Sequence, residues 1–136
     1  MAVLRAYIFC DNAREQAEYY ARVLKGKIGL VETYGDLAGS DYHDPDRVEH
    51  LELHAVGAVF YLADMKGAVR GNAMDLTLEF ESDEEAGDVF EALAEGSSVL
   101  VPFTSMHWGR MYGRLVDRYG VGWMIATSGQ DAADGL

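Results

Sequence analysis

The chain has 136 residues, enough for one compact domain with its own core, and nothing in it approaches the ~20 consecutive apolar residues of a membrane span. Its 11 basic and 23 acidic residues give a formal net charge of −12, which excludes nucleic acid and an anionic membrane as expected partners because both are negatively charged. The single cysteine, Cys10, cannot form an internal disulfide, and no basic, apolar leader opens the chain, so the expected location is the cytoplasm.

The first half is predicted to form a strand, a helix and three further strands. Residues 4–10 are apolar nearly throughout, which predicts a strand covered on both faces. Asp11 and Asn12 are candidate N-caps for an amphipathic helix over 13–25. The later strands are predicted at 27–34, 48–54 and 58–63. The segment 35–47 lacks periodicity, so it is predicted to be the longest loop and a mobile lid.

The second half repeats this order. Residues 74–81 alternate apolar and polar side chains, which predicts a strand, and Ser82 is the candidate N-cap of a helix over 83–95. Three more strands are predicted at 99–103, 110–116 and 122–127. Residues 128–136 have no periodicity and are predicted to form a flexible tail.

The two halves also match residue by residue, about seventy positions apart. The matched pairs are Ile8 with Leu78, Glu15 with Glu85, Tyr20 with Phe90, Val23 with Leu93 and Gly26 with Gly96. Each set runs from a strand through a helix to a glycine. Such a repeat indicates two half-length modules that pack together around a pocket.

The last third of the chain carries a recognisable pattern of aromatic and glycine residues. The segment HWGRMYGRLVDRYGVGWMIA, residues 107–126, contains Trp108 with Gly109, a turn at 117–120, and Trp123. It resembles the C-terminal signature of the PhnB-like branch of the vicinal oxygen chelate superfamily, the glyoxalase/bleomycin resistance fold. The segment DNAREQAEYYARVLKGKI resembles the opening of the same family. Arg118 departs from the proline that this branch usually has in the turn.

The resemblance implies an α+β fold in which two tandem βαβββ modules form a cup-like mixed sheet. Residues 1–127 would form a single domain, with module one at 1–70, module two at 71–127 and the tail at 128–136. It also implies a homodimer that holds a small molecule inside each cup.

Metal-dependent members of this superfamily place one ligand on each of four strands. Those positions correspond here to Leu4, Glu52, Asp75 and Ala126, and only Glu52 and Asp75 have side chains that can bind a metal. The resemblance therefore implies that the usual metal site is missing and that no cofactor is expected. Comparison of the two halves also treats Ala126 as the counterpart of Glu52.

His50, Glu52 and His54 alternate along one predicted strand, so their side chains share a face. Three interpretations remain open for them: a pocket wall that binds a polar ligand, a solvent-facing strand without a role, and a metal site. Donors two residues apart are about 7 Å apart along a strand, which is far for ligands of one ion. A weaker metal alternative combines His50, Glu52 and Asp75.

Other candidate ligand-binding residues lie in the second half. Asp75, Thr77 and Glu79 form an acidic stripe that would favour a cationic or hydrogen-bond-donating ligand, unless it is only a solvated face. His107 and Trp108 lie in a loop where they would cover the mouth of a pocket, although Trp108 would equally fill space between the modules. Trp123 is expected in the core.

The leading functional hypothesis is metal-independent binding of a small molecule by a PhnB-like, glyoxalase/bleomycin-resistance-type protein. The alternative is a metal-dependent or acid/base lyase, isomerase or dioxygenase, with Glu52 and His50 as candidate catalytic residues. A third possibility is an interaction module. Some relatives carry a methyltransferase name, but no nucleotide-cofactor loop is recognisable in this sequence.

Overall fold

The computed structural model of the chain describes residues 1–39, 43–106 and 109–128. The chain divides into two compact units, Met1–Val69 and Arg70–Leu136. Each unit contains one four-stranded mixed sheet and a long helix, so the predicted α+β class with tandem βαβββ modules is confirmed. In the described part of the chain, no helix is both long enough and apolar enough to cross a membrane.

The first unit has its strands in the order β1-β4-β3-β2. Strand β1 is parallel to β4, and the other neighbours are antiparallel. Its elements are β1 Ala6–Cys10, α1 Ala13–Val23, β2 Lys27–Thr33, α2 Tyr34–Ala38, β3 Val48–Ala55 and β4 Ala58–Asp64.

The second unit repeats this topology with the order β5-β8-β7-β6, again with a parallel pair between its first and last strands. Its elements are β5 Leu76–Phe80, α3 Asp83–Ala94, β6 Ser98–Ser105, β7 Met111–Val116 and β8 Gly122–Thr127. The repeat read from the sequence is therefore a repeat of strand order as well as of residues.

Helix α1 covers one face of the first sheet. Ile8 and Cys10 of β1 are buried on that face, whereas Tyr7 and Phe9 are 42% and 39% exposed on the other. The prediction that β1 is covered on both faces is wrong. An apolar run does not distinguish a strand buried on both faces from one whose second face carries exposed aromatic rings. The core under α1 also includes Leu51, Leu53, Leu62, Ala17 and Tyr20.

Helix α3 covers the second sheet in the same way. Val89, Phe90 and Leu93 of the helix are buried, as are Leu115, Trp123 and Ile125 of the sheet. Each fully buried side chain of this size contributes roughly 1.5–3 kcal/mol through the hydrophobic effect. Trp123 is completely buried, which confirms its expected place in the core.

The ends of the helices follow from local hydrogen bonds. Asn12 caps α1, because its side-chain oxygen accepts a hydrogen bond from the Glu15 amide at 3.1 Å. Helix α1 stops at Val23, two residues before the predicted end, because Lys25 adopts a positive φ of 55°. Gly26 is needed for a different reason: a Cβ there would lie 2.5 Å from the carbonyl oxygen of His54 on β3.

A short helix, α2, occupies part of the segment predicted as an irregular loop. Thr33 and Asp36 form a reciprocal capping box, with the Thr33 hydroxyl accepting from the Asp36 amide at 3.1 Å and the Asp36 carboxylate from the Thr33 amide at 2.9 Å. These hydrogen bonds lower the pKa of Asp36. The capping pattern is present in the sequence and was missed because no apolar periodicity follows it. Residues 40–42 of the predicted lid lie outside the described residues.

Each unit contains an equivalent hydrogen bond that joins the end of its last strand to the first residue of the preceding strand. In the first unit the Asp64 carboxylate accepts from the Val48 amide at 2.8 Å, and in the second the Thr127 hydroxyl accepts from the Met111 amide at 2.8 Å. Val48 and Met111 are the first residues of β3 and β7. The repeated sheet is therefore held by equivalent bonds made with different side chains.

Asp117 holds the turn between β7 and β8. Its buried carboxylate accepts from the Tyr119 and Val121 amides at 2.8 and 3.1 Å and from the Trp123 indole nitrogen at 2.8 Å. The turn at 117–120 therefore has a structural role, because its aspartate accepts the hydrogen bond of the fully buried Trp123 indole.

We expect Asp117→Ala to lower the free energy of unfolding by about 3 kcal/mol, because a buried indole donor and two turn amides lose their acceptor. Urea unfolding followed by tryptophan fluorescence measures this change. The matched control is Asp88→Ala on the exposed face of α3, which should change stability by less than about 0.5 kcal/mol. Equal unfolding midpoints for the two variants would contradict the assigned role of Asp117.

Candidate functional site

A row of polar and aromatic side chains crosses the open face of the first sheet. Tyr7 on β1 is the register partner of Tyr61 on β4, which is in turn the partner of Glu52 on β3. His50 and His54 lie two residues before and after Glu52, so all five side chains project from the face opposite α1. The shared face expected for the two histidines and Glu52 is present in the structure.

The carboxylate of Glu52 lies between two imidazole rings. Nε2 of His50 is 3.6 Å from one carboxylate oxygen, and Nε2 of His54 is 3.7 Å from the other. The side chains of His50 and Glu52 are 20% and 28% exposed, and that of His54 is 53% exposed. The ring of His54 fits against Gly29 on β2, where a Cβ would lie 3.0 Å from the imidazole.

Tyr7 connects this cluster to the first strand. Its hydroxyl is 3.1 Å from Nδ1 of His50 and 3.5 Å from the carbonyl oxygen of Glu49. When the hydroxyl donates to Nδ1, the proton of a neutral His50 is on Nε2 and faces Glu52. Burial, followed by the negative charge of Glu49 and the Tyr34 phenol, raises the pKa of Tyr7 above its usual value of 10.0.

Aromatic packing fixes the positions of these rings. The His50 and Tyr61 ring centres are 4.7 Å apart, and those of Tyr7 and Tyr61 are 5.6 Å apart in an edge-to-face arrangement. Tyr7 and Phe9 stack with centres 4.9 Å apart and an interplanar angle of 21°. The open face therefore combines mutually packed aromatic rings with a carboxylate placed between two imidazoles.

The four-ligand metal site of the superfamily does not fit these residues. Leu4 precedes β1, is 98% exposed and has no donor atom, and Ala126 has no side-chain donor. Glu52 is flanked by two imidazoles, and Asp75 is engaged by an arginine at 2.8 Å. Across residues 1–39, 43–106 and 109–128, no group of three or more His, Cys, Asp or Glu side chains is arranged to hold a metal ion. The combination of His50, Glu52 and Asp75 is therefore not such a group.

The acidic stripe of the second unit is paired with arginines. Nε of Arg114 donates to Asp75 at 2.8 Å, and the Arg110 guanidinium donates to Glu79 at 3.0 Å. The hydrogen bond to Asp75, followed by the negative charge of that carboxylate, raises the pKa of Arg114. The expectation that this stripe favours a cationic or hydrogen-bond-donating ligand stays a prediction, and the structure adds that Asp75 and Glu79 each face a guanidinium.

Two connected depressions lie on the open face of the second sheet. The larger has a volume of about 360 Å³ and the smaller about 200 Å³, and both are lined by Thr77, Tyr112 and Met124. Asp75 and Arg114 line the larger depression, whereas the smaller is lined by Glu79, Arg110, Met106, Met111 and Ala126. We call these joined depressions the second-sheet groove.

The strand registers show which site positions correspond between the units. Thr77 pairs with Met124, and Met124 with Arg114, in the same way that Tyr7 pairs with Tyr61 and Tyr61 with Glu52. Arg114 is therefore the counterpart of Glu52. The expectation that Ala126 is that counterpart is wrong, because Ala126 pairs with Glu79 and corresponds to Ala63, the partner of Phe9.

Several site residues were not singled out from the sequence. Tyr7 and Tyr61 lie in the predicted strands 4–10 and 58–63, and Arg110 and Arg114 in the predicted strand 110–116, without a motif that marks them as site residues. The sequence shows that Tyr7 and Phe9 lie two positions apart, as do Tyr112 and Arg114. It does not show which face of each sheet is left open. His107 and Trp108, predicted to cover a pocket mouth, lie outside the described residues.

Comparisons with known proteins give a consistent result. The profile of a family described as 3-demethylubiquinone-9 3-methyltransferase matches residues 2–126. The chain is 22% identical over 130 residues to Protein YjdN of Escherichia coli strain K12, which covers 86% of this chain and 88% of that protein.

Solved structures share the fold. Protein PA1353 from Pseudomonas aeruginosa aligns with a TM-score of 0.75 and 27% identity over 92% of this chain and 98% of that one. The PhnB protein from Bacillus cereus aligns with a TM-score of 0.77 and 23% identity over 93% and 99%. Glyoxalase/bleomycin resistance/dioxygenase proteins from Burkholderia phytofirmans PsJN and Frankia sp. EAN1pec align with TM-scores of 0.64 and 0.68 at 11% and 14% identity, which shows the fold alone. The predicted glyoxalase/bleomycin resistance fold is confirmed.

The raised pKa of Tyr7 predicts a pH dependence of stability. As the pH rises, the unfolded chain releases this proton first, at its usual pKa of 10.0, while the folded chain keeps it to a higher pH. The stabilisation is thus fully present below the pKa of the unfolded chain and is lost as the pH rises through the higher pKa of the folded chain. Denaturant unfolding in the alkaline range should show a steeper loss for wild type than for Tyr7→Phe, and parallel curves would contradict the assignment.

Proposed function

The chain belongs to the PhnB-like family, described as 3-demethylubiquinone-9 3-methyltransferase, in the glyoxalase/bleomycin resistance superfamily, and on that premise we propose that it binds a small organic molecule without a metal ion. The observation that carries the proposal is the second-sheet groove. Its larger depression, about 360 Å³, lies within the size range of small-molecule sites. A family name does not assign a reaction, because one fold supports many chemistries.

The lining of the groove defines the chemistry of the ligand. Met124 and Tyr112, shared by both depressions, provide an apolar floor that adapts to different shapes, because thioether side chains are flexible and polarizable. Two arginine–carboxylate pairs lie at the edges, so the nearby charges balance. We infer a ligand with an apolar body and a hydrogen-bonding group, without a required net positive charge.

Metal independence is supported by the donors themselves. Leu4 and Ala126 supply no ligand atoms, and the Asp75 carboxylate is held by Arg114. A catalytic metal usually has at least three protein ligands. The residues that remain at the superfamily positions are too few, and the charged ones already have partners.

The homodimer and the cytoplasmic location are also part of the proposal. Exposed apolar residues on the edge strands, Leu30 of β2 with Val99 and Leu100 of β6, support association with a second copy. The strongly acidic composition supports a location away from nucleic acid and membrane surfaces. A monomer in sedimentation velocity would remove the dimer from the proposal.

Binding in the groove is tested with 1-anilinonaphthalene-8-sulfonate, which combines an apolar ring system with an anionic group. We expect saturable fluorescence enhancement by folded wild type, and an affinity at least about fivefold lower for Met124→Asp, because the floor loses roughly 1 kcal/mol of apolar contact and gains a charge. The control is Met65→Asp, which alters an exposed methionine in the first unit. Equal affinities for the two variants would place the dye elsewhere.

Metal independence has its own measurement. Protein purified without chelator should contain much less than one equivalent of zinc, nickel or iron by mass spectrometry, and its dye affinity should not change after dialysis against a chelator. Stoichiometric metal that survives gel filtration would overturn this part of the proposal, whatever the outcome for the dye.

A further inference from the structure

The two arginines of the second-sheet groove use their guanidinium groups differently. Arg110 donates from two nitrogens, Nε to the carbonyl oxygen of Thr127 at 2.9 Å and Nη2 to Glu79 at 3.0 Å. Arg114 donates from Nε to Asp75 at 2.8 Å, and among the residues that the structure describes it forms no second ion pair. A guanidinium has five N–H donors, so the bond from Nε leaves the edge between the two terminal nitrogens of Arg114 for another acceptor.

Asp75 fixes the direction of the Arg114 guanidinium. Its side chain is 15% exposed, and one carboxylate oxygen, Oδ1, packs against Gly122 at the start of β8, where any Cβ would collide with it. The other oxygen, Oδ2, accepts the hydrogen bond from Nε of Arg114. A planar guanidinium that is already oriented loses less side-chain freedom for each further hydrogen bond that it forms. Asp75 is therefore a positioning residue for Arg114.

The larger depression surrounds Arg114 with both polar and apolar groups. The amide of Asn72 and the hydroxyl of Thr77 line it together with Met124 and Tyr112. The Arg114 side chain is 32% exposed, so a molecule in the depression can reach it. A ligand there meets hydrogen-bond donors at one end and a thioether and an aromatic ring along its body.

The charges around the groove favour a ligand with a single negative charge. The pairs of Asp75 with Arg114 and of Glu79 with Arg110 are each neutral, and the whole chain has a formal charge of −12. A phosphate dianion would place two negative charges close to the Asp75 carboxylate, and like charges repel strongly at short range. A carboxylate carries one charge, and its two oxygens match two parallel N–H donors of one guanidinium.

We propose that Arg114 is the recognition residue for the carboxylate group of a ligand whose apolar body lies on Met124 and Tyr112. This inference rests on the proposed binding function of the groove and names the class of its ligand, an apolar monocarboxylate. The acidic stripe by itself predicts the opposite preference, for a cation. The charge of the molecule that binds best therefore separates the two interpretations.

Three probes with the same ring system test the preference: 2-naphthoate, 2-naphthamide and 2-naphthylmethylamine, which are anionic, neutral and cationic at neutral pH. Dissociation constants are measured for wild type by ligand-observed NMR titration. We expect 2-naphthoate to bind at least about fivefold more tightly than 2-naphthamide, because hydrogen bonds between ionised partners are the stronger ones. The cationic probe should bind most weakly of the three, and 2-naphthyl phosphate should bind more weakly than 2-naphthoate.

Variants of Arg114 separate recognition from folding. Arg114→Gln should lower the affinity for 2-naphthoate at least about fivefold and leave the affinity for 2-naphthamide unchanged, because only the anionic probe loses a charged partner. Arg114→Lys keeps the charge but lacks the planar pair of donors, so it should recover only part of the loss. Arg14→Gln makes the same chemical change on the exposed face of α1 and should retain the wild-type affinity for both probes.

Tighter binding of the cationic or the phosphate probe than of 2-naphthoate would overturn the inference, and this comparison needs no variant. An equal loss of 2-naphthoate and 2-naphthamide in both Arg114 variants would do the same. If wild type binds these two probes equally and both are lost in Met124→Asp, the groove binds small molecules and only the carboxylate recognition is wrong. If no naphthalene probe binds and 1-anilinonaphthalene-8-sulfonate does not bind either, the proposed function fails and this inference fails with it.

Discussion

The parallel pairing of the first and last strands in each unit aligns the rows of side chains that cross the two open sheet faces. In the first unit it aligns Tyr7 with Tyr61, and in the second it aligns Thr77 with Met124. The next, antiparallel pairing extends each row to Glu52 or Arg114. A slip of one residue in any of these pairs would turn the row towards the helix, so burial of the opposite face against α1 or α3 is what holds the site in register.

The two units keep this scaffold and differ in their chemistry. Asp64 and Thr127 occupy corresponding positions and both accept the amide of the first residue of the neighbouring strand, although one is a carboxylate and the other a hydroxyl. At the open face the correspondence is looser, since Glu52 is replaced by Arg114 and Tyr61 by Met124. Residues such as Asp64 and Thr127 must accept a hydrogen bond from a backbone amide, whereas residues on the open face do not have this requirement.

This difference separates two kinds of surface. In the second unit Asp75 and Glu79 are each paired with a guanidinium, and the methionines of the groove favour contact with an apolar molecule. In the first unit the Glu52 carboxylate lies between two imidazole rings. The duplicated sheet therefore presents two different sets of side chains from equivalent register positions.

Much of the fold followed from the sequence, because hydrophobic periodicity and glycine stops are local signals. The two helices and eight strands, the repeat, the burial of Trp123 and the shared face of His50, Glu52 and His54 were all readable from residue order. The predicted stop at Gly26 lies three residues beyond the observed end of α1 at Val23, and a glycine is needed at position 26 because a Cβ there would lie 2.5 Å from the carbonyl oxygen of His54 on β3. The short helix α2 was missed, since its capping pair has no apolar stripe behind it.

What the sequence could not decide were the partners of each side chain across the sheet. The pairing of Asp75 with Arg114 joins residues 39 positions apart, and the contact of Tyr7 with His50 joins residues 43 apart. Such contacts depend on strand order and register, which arise from the packing of whole elements and not from local preference. The sequence by itself determined which elements form and which residues alternate along them; the tertiary structure decided which face stays open and which charges meet there.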